Sequence, residues 1–163
     1  MSGTVTHLVC PQVTHVRVIG IGNEFRQDDG AGLAVVRRLS SHAAGSFDLM
    51  EHDGEATSLL QAWEGVPAVV LVDAVRSRSA PGTIHCIDVR SAGLPKGARW
   101  SSSHSLGVSE AVALAEKLDC LPGVLIMYGI EGESFDLGRG LSSKVDRAAS
   151  RVVDRLLSLY RSR

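Results

Sequence analysis

The sequence predicts an α/β fold: a three-layer sandwich with a mostly parallel, twisted, five-stranded sheet, helices on both faces and one antiparallel edge strand. Three observations predict it. Short apolar runs alternate with helical patterns nearly throughout the chain, as strand–helix crossover units do. One run, Ala68–Val72 (AVVLV), is apolar at every position, as a strand covered on both faces must be. The Ser79–Gly82 link is too short for a crossover helix, so the strand after it runs antiparallel at an edge.

The elements follow in order. Val16–Ile21 is a short apolar run interrupted and followed by glycine, and reads as a buried strand. Gly30–Ala43 follows as a helix with Ala31, Ala34, Val35 and Leu39 on one face. Phe47–His52 is a second strand, ended by the Asp53–Gly54 turn. Thr57–Trp63 is a short helix with Thr57 as its cap. The strand Ala68–Val72 stops at Asp73, and Thr83–Val89 is the antiparallel edge strand. Ser91–Ser103 is a polar loop that closes in three serines before His104. Leu106–Leu118 is helical, Gly123–Gly129 is the fifth strand, and Leu141–Tyr160 is a long amphipathic helix. Its stripe is Leu141, Val145, Ala148, Ala149, Val152, Leu156 and Tyr160, and Ser143-x-x-Asp146 reads as a capping box at its start. With no repeat and no linker, residues 1–163 read as one domain, with 1–14 as a flexible tail.

Composition narrows the function. The formal net charge is −1 with no run of Lys or Arg, so no footprint for nucleic acid or an anionic membrane surface is present. Arg37–Arg38 reads as a solvated helix face. Cys10, Cys86 and Cys120 are widely spaced and odd in number, which argues against a disulfide framework or a closed structural zinc site. No apolar stretch reaches the roughly 20 residues of a membrane span, and the first residues lack the pattern of a signal peptide, so a cytoplasmic protein is expected.

The richest segment is Val18–Gly32, VIGIGNEFRQDDGAG. Gly20 and Gly22 fit the first two glycines of a dinucleotide fingerprint, but Phe25 stands where the third belongs. Asp28 and Asp29 would then face a phosphate at a helix N-terminus and repel it. One aspartate suffices as a cap; the second needs another reason. In an open α/β sheet, ligands lie beyond the carboxyl ends of the parallel strands. Three polar groups fall there: Asp28–Asp29, Asp73 at the end of AVVLV, and His104 before a helix. Each has a plain local role, as cap, turn residue or cap neighbour. Together, two carboxylates and one imidazole are the minimum set for a divalent transition metal with positions left open. There is no G-x-S-x-G and no H-E-x-x-H. Of the other histidines, His52 beside the Asp53–Gly54 turn stands out.

These residues carry a resemblance. GIGNEFRQDDGAG, LVDAV (Leu71–Val75), SHSLG (Ser103–Gly107), HDGEATSLL (His52–Leu60) and the late GIEGES…GLS (Gly129–Ser134, Gly140–Ser142) resemble, in order, the nickel–iron hydrogenase maturation endopeptidases. The resemblance implies an endopeptidase that recognises nickel in the hydrogenase large-subunit precursor and removes its C-terminal extension. It implies Asp29, Asp73 and His104 as the metal-recognising set, with Asp29 and Asp73 also catalytic and Asp28 a cap or supporting neighbour. It implies Gly22, Asn23, Asp53 and Gly54 as substrate-binding positions. The nickel is expected to arrive with the substrate; either it polarises the scissile carbonyl, or Asp29 or Asp73 activates water. Glu55 stands where the family has a second glycine, and Ala56 intervenes before Thr57. Two other readings compete: a checkpoint or chaperone protein that binds the same precursor without cutting, and a nucleotide-binding domain.

Overall fold

The structure is a computed structural model and describes residues 15–42, 45–95, 99–100 and 107–161. In chain order the elements are β1 (Arg17–Ile21), a 3-10 turn (Gln27–Gly30), α1 (Ala31–His42), β2 (Asp48–His52), α2 (Ala56–Trp63) and β3 (Ala68–Arg76). They continue as β4 (Ile84–Asp88), the four-residue α3 (Val89–Ala92), β5 (Arg99–Trp100), α4 (Val108–Lys117), β6 (Val124–Glu131) and α5 (Ser143–Arg161).

The main sheet runs β2-β1-β3-β6-β4. All its pairs are parallel except β4 on β6, so the expected antiparallel strand is at the edge. The two-residue β5 is an addition, pairing antiparallel with Val75 and Arg76 of β3. It falls in the stretch read as loop, while α3 takes up Val89, the expected end of the edge strand, and the first residues of that loop. Asp88 starts α3 by accepting the N–H groups of Arg90 and Ser91, and Gly93 at φ 66° ends it.

Side-chain alternation along β3 feeds two cores. Val70, Val72 and Ala74 face α1 and α5, among Val35, Leu39, Val145, Ala149 and Val152. Val69, Leu71 and Val75 face α2 and α4, among Leu59, Trp63, Ala111 and Val112. Burying each such aliphatic side chain contributes about 1.5–3 kcal/mol. The helix α1 lies unusually close to the sheet. A Cβ at Gly32 would sit 2.2 Å from the Val72 carbonyl oxygen, so only glycine lets the helix rest there.

Three expectations give way. The strand β3 does not stop at Asp73 but continues to Arg76, because residues 73–76 keep pairing with β6 as far as Val75↔Glu131 and beyond β1 with β5. Thr57 does not cap α2; Glu55 does, its carboxylate accepting from Thr57 N–H and Ser58 N–H. The Ser143–Asp146 box is not formed. Ser143 is already the first residue of α5, Asp146 is ion-paired with Arg38, and the preceding Ser142 points its donors at Asp28. The tail 1–14 and the Tyr160 side chain lie outside the described residues. No helix among the described residues is long and apolar enough to cross a membrane.

Candidate functional site

Strand order decides where a ligand belongs. From β1 the chain moves to β2 on one side, then returns across to β3 on the other, so the order reverses between β1 and β3. A crevice opens beyond the carboxyl ends of strands at such a reversal. Asp29 follows β1 and Asp73 lies in β3. The 3-10 turn that carries Asp29 packs on β3, and the first turn of α1 reaches the carbonyl of Val72, one residue before Asp73.

Asp73 is 0% exposed inside a nine-residue strand, on the face of Leu71 and Val75. That placement removes its reading as a turn residue. An ionisable group in such surroundings costs several kcal/mol to bury, so its retention asks for a reason beyond folding. Asp29 is 1% exposed, and its N–H donates to the Arg26 carbonyl at 3.2 Å.

The chain around Asp29 is built to curl back on it. Gly22 sits at φ 152°, and a Cβ there would lie 1.9 Å from the Asp29 carbonyl oxygen. Its N–H donates to the His52 carbonyl at 3.0 Å, which ties the end of β1 to the end of β2. The Asn23 side-chain oxygen accepts the Phe25 N–H at 2.9 Å and shapes the next bend. The result is an open cleft of about 340 Å³ lined by Gly22, Asn23, Asp29 and Asp53 together with Glu24, Phe25, Arg37 and Glu51. Four of the residues expected in the site are thus brought together. Gly54 lies beneath the wall, buried at φ 89°, and donates its N–H to His52 Nδ1 at 2.9 Å. That bond leaves the proton of the neutral His52 ring on Nε2 and makes His52 an organiser of the turn. Asp53 is largely exposed and accepts the Glu55 N–H at 3.0 Å.

Asp28 has a role of its own. Its fully buried carboxylate accepts four hydrogen bonds: from Glu133 N–H and Ser134 N–H at 2.9 Å each, Ser142 N–H at 2.7 Å and Ser142 Oγ at 3.0 Å. The late GIEGES and GLS strings are therefore clamped to the first turn through Asp28. Arg37 is exposed on its helix face, as the sequence suggested, but it is also paired. Its guanidinium bonds both Glu51 oxygens at 2.7 and 2.9 Å and Glu24 at 3.3 Å, building one wall of the cleft. The Arg37 hydrogen bond holds the Glu51 carboxyl below its ordinary range, and the same contact raises Arg37 further.

A fourth buried carboxylate, Glu131, lies at the end of β6. It accepts Ser77 N–H and Ser77 Oγ at 2.7 Å each and lies 3.3 Å from His85 Nε2. His85 and Asp73 both pair with Gly129, from opposite sides, so they share a face across a residue with no side chain. The sequence pattern signalled Glu131 only as part of GIEGES.

Among the described residues, no three His, Cys, Asp or Glu groups are placed to hold a metal ion. Of the expected ligand set, Asp29 and Asp73 are described and His104 lies outside the described residues. The described chain on either side of His104 is β5, alongside β3 just past Asp73, and the start of α4.

Known proteins now bear on this arrangement. A family model described as hydrogenase maturation protease matches residues 33–159. The hydrogenase expression/formation protein HupD of Thiocapsa roseopersicina is 28% identical over 145 residues, covering 87% of this chain and 66% of its own length. HupD of Rhodobacter capsulatus is 28% identical over 150 residues, 86% of this chain and 70% of its own. This chain thus spans about two thirds of those curated relatives. Among solved structures, the hydrogenase maturating endopeptidase HybD of E. coli superposes with a TM-score of 0.75 at 21% identity, covering 91% of this chain and 93% of its own. The [NiFe] hydrogenase maturation protease HybD of Thermococcus kodakarensis gives 0.70 at 24% identity, with 90% and 99% covered. The structural likenesses share the fold, and the family model covers most of the sequence: this chain belongs to the hydrogenase maturation protease family.

Proposed function

We propose that this chain is an endopeptidase that acts in the cytoplasm on the nickel-loaded precursor of a nickel–iron hydrogenase large subunit and removes its C-terminal extension. The observation that carries this reading is the pair of buried carboxylates, Asp29 and Asp73, beside the reversal of strand order between β1 and β3. Amide hydrolysis needs a base for the attacking water and a positive centre facing the carbonyl oxygen. Two carboxylates offer oxygen ligands to the divalent ion the substrate brings, and one of them can take the proton of water. His104 completes the ligand set in this reading, as an imidazole suited to nickel. Gly22, Asn23 and Asp53 line the path of the peptide, and Gly54 holds the turn beneath it.

The matched family and the endopeptidase relatives support the reading. A phosphate reading fits poorly, because the turn that would cradle phosphate holds two buried carboxylates instead. The direct test is incubation with the nickel-loaded precursor, followed by mass spectrometry of its C-terminus. Loss of a short peptide is expected with nickel present and none without it. Asp29→Asn, Asp73→Asn and His104→Ala are expected to leave the precursor uncut. A stable complex with no mass change would overturn the endopeptidase and leave a binding checkpoint.

A further inference from the structure

Two large apolar side chains stand in water on adjoining loops: Phe25, which lines the Asp29 cleft, and Leu137, next to the Gly138 that bonds the Phe25 carbonyl. Phe25 is 54% exposed and Leu137 is 86% exposed. The chain has three phenylalanines, and placing one of them in solvent forgoes scarce aromatic core. The two loops are joined rather than free. Gly138 N–H donates to the Phe25 carbonyl and Gln27 N–H donates to the Gly138 carbonyl, each at 2.9 Å. The Asp28 clamp fastens the same loop from below. The Arg139 guanidinium lies 4.5 Å from the centre of the Phe25 ring and 3.6 Å from Glu24, bracing the ring from one side. A pre-positioned aromatic beside an arginine is the usual make-up of a binding anchor, because little freedom is left to lose on contact.

The ledge is continuous with the cleft, since Phe25 lines both. The cleft carries four carboxylates, Glu24, Asp29, Glu51 and Asp53, against Arg37 in its lining and Arg139 paired with Glu24. Like charge would repel an acidic strand from it. We propose that Phe25 and Leu137 form a docking ledge for the substrate polypeptide: an apolar side chain of the segment entering the cleft seats on the ledge, and an uncharged or cationic stretch of it lies beside Asp29. This inference rests on the endopeptidase reading for the identity of the partner, though not for the existence of the contact.

The test uses the full chain and the nickel-loaded precursor, with cleavage rate measured against precursor concentration. Phe25→Ser together with Leu137→Ser is expected to raise KM about tenfold or more, with kcat held within about twofold. Phe25→Leu, which keeps an apolar anchor, is expected to recover most of the loss. Melting temperatures of these variants should match the parent, because both side chains are exposed. An unchanged KM in the double variant overturns the ledge. A parent protein that sediments as a dimer and is dissociated by Phe25→Ser also overturns it, giving the patch to a second copy of the chain. If the parent does not cleave, calorimetric titration with the same precursor separates the two ideas. Binding weakened about tenfold in the double variant keeps the ledge while the endopeptidase falls. Equal binding, or no binding by the parent, overturns the ledge as well.

Discussion

Two corners of this molecule are built to one plan and used differently. At each, a parallel strand ends, a glycine-containing acidic turn follows, and a helix begins: β1 to α1 through Asp28–Asp29, and β2 to α2 through Asp53–Gly54–Glu55. In the first corner the carboxylates are 0% and 1% exposed. In the second, Asp53 and Glu55 are exposed, and each accepts backbone N–H groups within three residues of itself. Local hydrogen bonding explains Glu55 in the second corner, while Asp53 also lines the cleft. It does not explain the first, where Asp28 bonds residues more than a hundred positions away and Asp29 opens on a cleft. Lining the cleft, as Asp29 does, rather than residue type tells a functional carboxylate from one whose acceptors are filled by the chain itself, as those of Asp28 and Glu55 are.

The largest expected effect tests the buried pair. Asp29→Asn and Asp73→Asn each remove a charge while keeping shape, and each should lower the cleavage rate by about a hundredfold or more if the carboxylate handles a proton or the metal. Melting temperature should change far less than the rate, because Asn keeps the size and shape of Asp in the packed site. Rate assays and thermal melts on the same samples check both halves. A large fall in melting temperature with little change in rate would make these aspartates structural and erase the contrast between the corners.

Asp28→Ala tests the clamp. It leaves three backbone donors and one hydroxyl without their acceptor and should destabilise the protein by about 3 kcal/mol, measured by denaturant unfolding. Faster backbone hydrogen exchange at Glu133–Ser142 would locate the loss. Unchanged stability would show that the loop is held by other contacts.

Most of the fold was legible because apolar runs bounded by glycine and aspartate mark strands plainly. The edge strand was legible from one short link. What was not legible depended on contacts distant in sequence. A strand that runs on through a buried aspartate looks, in sequence, like a strand that stops there; pairing of residues 73–76 with β6 and β5 is what carries it on. Glu55 rather than Thr57 caps α2 because the helix already starts at Ala56, where the Glu55 carboxylate reaches the N–H groups of Thr57 and Ser58. Asp29 and Asp73 were found from strand-end logic. The clamp by Asp28 and the polar row through Glu131 and His85 were missed, since their partners come from elements joined only by folding.

A smaller effect comes from backbone strain. Gly22→Ala places a Cβ against the Asp29 carbonyl at a φ that side chains rarely adopt, and should cost about 2 kcal/mol while displacing Asp29. Cleavage should fall further than stability alone accounts for at temperatures well below the melt. Parent-like activity would mean that the turn can shift without moving the carboxylate that matters.

The smallest effect belongs to the second corner and completes the contrast. Two backbone N–H groups, first that of Thr57 and then that of Ser58, hold the Glu55 carboxyl down to about 2, well below its ordinary 4.5. A depressed carboxyl stabilises the folded state fully above its unfolded value, and that contribution is lost as pH falls toward the folded value. Glu55→Ala should therefore lower the melting temperature slightly near neutral pH, and the two proteins should converge between about pH 4.5 and 2. Cleavage of the precursor should be unaffected, because this carboxylate is spent on its own helix. Thermal melts across that pH range, with one rate assay at neutral pH, decide it. A gap that persists at the acid end would mean that Glu55 acts by packing, and a lost rate would move the cleft two residues further along the turn than Asp53.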